Sequence, residues 1–197
     1  MRTNPSAEER NDQIRSLLAS LDRRVPGEAA HAERVAVYAT ATAYEMGIRG
    51  ESLQQVRWAA ALHDVGKTSL DPGPLLRMGP LSDDERKQMQ SHTTLAEALV
   101  GAIQWLRPCV PAIRHHHERW DGRGYPEGLS GEQIPLTARI IAVAEAYDAM
   151  TSLSSGREVL SEEMAAEELQ RESGGQFDPL VVQAFLKVQT LIQPLQV

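Results

Sequence analysis

Only one cysteine occurs in the 197 residues, Cys109, so no internal disulfide can form and a reducing compartment suffices. Basic residues are outnumbered, with 20 Lys and Arg against 27 Asp and Glu, and the net charge is -7. That balance excludes a broad basic face, and with it general binding to nucleic-acid polymers or anionic membranes. No apolar run approaches the roughly 18 residues of a membrane span. The opening "MRTNPSAEERNDQ" is polar and has no apolar signal core, which predicts a soluble, cytoplasmic chain. Aromatics make up only 5% and β-branched runs are scarce, so little favours strands. The length fits one domain, burying roughly 70% of its extended-chain surface.

What is present points to helices. Apolar residues recur at three and four, and the spacing predicts an all-α chain. Residues 7–23 read as a polar-faced first helix, broken at "RVPG", and residues 1–25 as an N-terminal extension to a domain over 26–197. A second helix runs over 28–46 and stops at Gly47. "SLQQ" at 52–55 suggests a capping box opening a helix that reaches His63 and Asp64. A Gly- and Pro-rich loop follows, then "SDDE" at 82–85 caps a helix expected to carry His92. Further helices are expected at 94–106, 110–119, 136–151, 161–173 and 179–190, the last with Asp178 as N-cap and Pro179 in its first turn.

Six histidines stand out in this background. Singly, each has a plain reading: His31 as a hydrogen-bonded residue on an amphipathic helix, His92 as a partner of a helix dipole. Together they form a pattern. His63 and Asp64 end one helix, His92 ends another, His115, His116 and His117 run in sequence, and Glu145 follows on a later helix. Imidazole mixed with carboxylate suits Fe, Mn, Zn or Ni better than Mg or Ca alone.

"HDVGK" at 63–67 and "HHERWDGRGYPEGL" at 116–129 resemble the HD-GYP branch of the HD phosphohydrolases, and "LTARIIAVAEAYDAMTS" at 136–152 and "GGQFDP" at 174–179 extend the resemblance. It implies an all-helical HD-domain bundle around a dinuclear centre, and hydrolysis of cyclic di-GMP by in-line attack of a metal-bridging hydroxide. Carried over by position, one metal takes His31, His63, Asp64 and Glu145; the other takes Asp64, His92, His116 and His117. Iron or manganese is implied for both. Lys67 is expected to steady a phosphate oxygen, with Asp64 as the shared catalytic ligand. Glu118, Asp121 and Asp148 are expected to support the ligands from behind, Asp148 also holding Lys67. His115 is left as a structural residue. The loop at Gly124, Tyr125 and Pro126 is implied to meet substrate or a GGDEF-type protein partner, and a homodimer is an open possibility.

The chain also departs from that pattern. Glu145 stands where the family has aspartate, one methylene or about 1.5 Å longer. Gly27 occupies the position, four before His31, of a further glutamate ligand in three-metal members, and Glu28 is turned about 100° from it. Two metals are therefore expected. After "YDAMTS" this chain reads "LSSGR", with Ser154 in place of a family arginine and Arg157 as the one remaining cation for substrate phosphates. These differences keep two alternatives in view: a phosphohydrolase acting on another nucleotide or phosphate ester, and a module that binds messenger or partner with little catalysis.

Overall fold

Capping residues alternate with alanine-rich apolar stripes, and the chain follows them into helices. The computed structural model describes residues 5–75, 77, 79–152 and 159–192. These form ten α-helices: α1 (Ala7–Arg24), α2 (Glu28–Glu45), α3 (Gly50–Leu62), α4 (Pro72–Leu75), α5 (Asp83–Gln90), α6 (His92–Gly101), α7 (Val110–His115), α8 (Leu136–Thr151), α9 (Glu162–Arg171) and α10 (Pro179–Val188). Short 3₁₀ turns join some of them, at Val65–Ser69 and Gln104–Cys109 among others. Among the described residues no strand forms; Ser173 and Phe177 make one isolated bridge. Ser154 and Arg157 lie outside the described residues.

Alanine sets the spacing at the centre. Ala32, Ala39 and Ala43 of α2 are fully buried, as are Ala59 and Ala60 of α3 and Ala138 and Ala144 of α8. Such small side chains let α2 lie close against both α3 and α8. α10 closes over α2 and α8, where Tyr38, Tyr147 and Phe185 meet with ring centroids 4.9–6.0 Å apart. α1 packs on α2 and α3 through Ile14, Leu18 and Leu21, and Arg24 donates to the Leu70 carbonyl at 2.6 Å. Cys109 is a free, buried thiol.

Several helix ends follow their sequence signals. Ser82 and Glu85 complete the capping box of α5, and Asp178 accepts from the Leu180 amide ahead of Pro179. α2 ends in a Schellman arrangement at Gly47 (φ +88°), with the Ile48 amide bonded to the Ala43 carbonyl and that of Gly47 to Tyr44. Others differ. α3 starts at Gly50, two residues before Ser52, and no side chain caps it. His92 does not sit on the helix opened by Ser82; that helix ends at Gln90, and His92 opens the next. α6 ends at Gly101, where Ile103 turns extended, and Gln104–Cys109 is a 3₁₀ turn around Pro108. α7 stops at His115, four residues short of the expected end.

Candidate metal centre

Three helix ends converge here, and the same device shapes each. His63 follows the last turn of α3, and its Nδ1 lies 2.6 Å from the Ala60 carbonyl. His116 follows α7 and repeats the contact with Ile113, again at 2.6 Å. His92, just past α5, does the same with Met89, at 2.6 Å. The last carbonyls of a helix lack intrahelical partners, so a ring N–H three residues on satisfies one of them. Nδ1 then carries the proton, and Nε2 is left with a lone pair facing away from the helix. That is the tautomer a metal ligand needs.

Those Nε2 atoms surround Asp64. Oδ2 lies 3.2 Å from His63 Nε2, Oδ1 lies 3.2 Å from His92 Nε2, and His92 and His116 approach to 3.3 Å through Nε2. Asp64, His92, His116 and His117 each offer a ligand atom within 4.8 Å of the others. So do His31, His63 and Asp64, and so do His63, His116 and Glu145. Asp64 thus belongs to two groups of ligand atoms. His63, Asp64, His92 and His116 are buried, yet His63 Nε2 and Asp64 Oδ1 make no hydrogen bond. Buried polar atoms without partners are costly, and a cation between them removes the cost. The donor set therefore fits a divalent metal.

Electrostatics fit the same picture. Burial alone would raise the Asp64 carboxyl, but Lys67 and His63 outweigh it and hold it well below the usual carboxylate range. Burial lowers His63, yet the Asp64 charge outweighs that and pushes it up to about 9, so without an ion the ring holds a second proton on Nε2, which a metal would displace. His116 goes the other way, driven well below its usual value by burial and by the neighbouring His117.

Glu145 joins His63 and His116 instead of the His31 side, and its Oε1 stands 3.8 Å from His117 Nε2. Lys67 Nζ lies 2.7 Å from Asp64 Oδ2 and 3.1 Å from both oxygens of Glu28. Asp148 does not hold Lys67. It takes His31 Nδ1 at 2.6 Å and a two-pronged Arg34 contact at 2.6 and 2.9 Å, because α2 presents both residues to α8. Burial would raise the Asp148 carboxyl, but the His31 and Arg34 hydrogen bonds bring it below its usual value.

Glu118 and Asp121 do not touch the ligand imidazoles. Glu118 is buried and accepts the amides of Glu127 and Leu129, folding the loop back, and stands 3.6 Å from His115, which lies outside the three groups. Asp121 pairs with Arg119 and the Arg123 amide. The loop returns so closely that a Cβ on Gly124 would come 2.4 Å from the Arg119 nitrogen. Tyr125 consequently stacks on His117 at 4.8 Å, and its peptide to Pro126 is cis. Sequence reasoning missed Arg34 and the pairing of Glu28 with Lys67. The available signal was helical spacing, since both residues of α2 stand three from His31 and share its face.

Comparison with known proteins agrees with this geometry. The HD domain family matches residues 15–181. The cyclic di-GMP phosphodiesterase response regulator RpfG of Xanthomonas campestris pv. campestris is 37% identical over 91% of this chain and 48% of its own length. A cyclic di-GMP phosphodiesterase of Thermotoga maritima is 37% identical over 81% of this chain and 44% of its own. The chain spans about half the length of these curated relatives. A solved cyclic GMP-AMP specific phosphodiesterase of V. cholerae shares the fold at TM-score 0.69 and 19% identity, over 90% of this chain and 48% of that one. The chain belongs to the HD domain family, in the HD-GYP branch.

Proposed function

We propose that this chain is a metal-dependent phosphodiesterase that hydrolyses cyclic di-GMP, with iron or manganese at two adjoining positions. The observation that carries the reading is Asp64 placed between two imidazole groups, with buried Asp64 Oδ1 and His63 Nε2 near ring nitrogens and carboxylate but making no hydrogen bond. On this reading His31 and His63 hold one ion with Asp64, and His92, His116 and His117 hold the other with the same carboxylate. Bound divalent ions supply Lewis-acid polarisation of a phosphate oxygen and a water that deprotonates near neutral pH. The chain's own residues do the remaining work. The backbone tethers on His63, His92 and His116 aim the lone pairs, and Asp148 orients the His31 ring. Lys67, fixed between Asp64 and Glu28, balances carboxylate charge instead of reaching for a phosphate. Tyr125, stacked on His117, shields one face of the cluster from water. The names of the relatives support a cyclic dinucleotide as substrate.

Protein purified without oxygen and loaded with Fe(II) or Mn(II) is expected to convert cyclic di-GMP to linear product, read by chromatography. Asp64→Ala should lose both metal and turnover. Full metal occupancy with no product overturns the reading.

A further inference from the structure

One cavity opens beside the centre and shares His116, His117 and Glu145 with it, while its other walls take no part in the ligand groups. It encloses about 150 Å³ and is bounded by His117 and Glu145, by Ala142 and Ala146 along α8, and by Arg119 and Gln176. The last two come from loops clamped together: the Trp120 amide bonds the Gln176 carbonyl at 3.0 Å, and the Asp121 amide bonds that of Gly175 at 2.9 Å. Arg119 spends Nε and Nη2 on Asp121, at 3.1 and 2.8 Å, and donates from Nη1 to Gln176 Oε1 at 2.8 Å.

Those contacts decide what the cavity can recognise. A guanidinium has no acceptor, so the Gln176 amide must turn its oxygen to Arg119 and its NH₂ group elsewhere. A guanidinium has five N–H groups, and these three bonds leave two of them unspent. What the Arg119–Gln176 pair has left is therefore mostly donors: two guanidinium N–H groups and the two amide N–H groups, against one remaining lone pair on Gln176 Oε1. The Ala142 and Ala146 methyls make a small apolar wall that suits a flat ring and offers a phosphate nothing.

We propose that this cavity receives a guanine base of the cyclic dinucleotide, and that Gln176 and Arg119 select it over adenine. The inference rests on the phosphodiesterase reading above and assigns the residues that read its base. Guanine presents two acceptors, O6 and N7, to such a pair; adenine keeps N7 but sets a 6-amino donor where O6 would be, so one of the two bonds is replaced by a donor facing a donor. A site built for hydrogen bonds rejects the analogue that leaves them unmade.

The test compares kcat/KM of the metal-loaded wild type and Gln176→Glu on cyclic di-GMP, cyclic di-AMP and 3′3′-cGAMP. The wild type should favour cyclic di-GMP, and Gln176→Glu, which exchanges donors for acceptors, should shift the guanine-to-adenine ratio by about tenfold or more toward adenine. Circular dichroism and an unchanged Tm rise with Mn(II) establish first that Gln176→Glu is folded, so that an equal loss on all three substrates cannot be a general disturbance of the fold. Ala146→Leu, which fills the cavity, should raise KM for cyclic di-GMP. An unchanged ratio in Gln176→Glu, equal loss on all substrates (the mark of a phosphate in the cavity), or an unchanged KM in Ala146→Leu overturns the assignment. If the wild type cleaves none of the three, the phosphodiesterase reading falls. The same ratio is then taken from equilibrium dissociation constants by calorimetry, and it decides the base assignment separately.

Discussion

Asp148 is buried beneath the cluster, and each of its oxygens already has a partner in His31, Arg34 or Ser152. Asparagine would keep the size but lose the charge that His31 and Arg34 both address. Asp148→Asn is expected to weaken the metal held with His31 by about 10–100-fold, measured by competition with a chelating dye. That His31, His63, Asp64, His92, His116 and His117 would gather in one place was legible from the family resemblance, which carries over all six by position. Arg34 and Glu28 were not, since a charged residue on an amphipathic helix reads as a solvated one. Only the packing of α2 against α8 and the 65–69 turn turns them inward. Lys67 stands beside Asp64 as expected, but the second carboxylate that holds it is Glu28 from α2 and not Asp148 from α8.

At the level of elements, the joint between α5 and α6 explains why the break falls before His92 and not after it. Ser91, His92, Thr93 and Thr94 each contact the carbonyl three residues back through the side chain. Four such contacts in succession compete with the backbone ladder and bend the chain there, and this places His92 against Asp64. Capping boxes have a short local signature and could be read; a run of side-chain bonds depends on rotamers and could not. The 65–69 turn is held just as tightly. A Cβ on Gly66 would lie 1.9 Å from the His92 carbonyl oxygen and 2.6 Å from the Ala96 nitrogen. Gly66→Ala must therefore push the turn from α6, separating Asp64 from His92. The expected cost is about 1–3 kcal/mol in urea unfolding, together with weaker metal binding than wild type.

Across the whole molecule, the apolar core and the metal cluster are held by different residues. Tyr38, Tyr147 and Phe185 seal one region, while the ligands gather at helix ends elsewhere. The metal-free chain should thus stay folded, with Mn(II) raising Tm by mass action and a chelator reversing the rise. Circular dichroism should show the same helix content in both states, and Asp64→Ala should abolish the shift in Tm. The all-helical class was legible from periodicity alone, because long amphipathic runs leave few alternatives. How the helices stack was not, since it depends on which alanines meet.

The carbonyl tethers of His63, His92 and His116 also bear on the order of maturation. Each ring gives up its rotational freedom when its own helix forms, long before any ion arrives. If an ion binds there it meets rings already oriented, so a chain made under metal starvation is expected to resist limited proteolysis as well as the loaded one does.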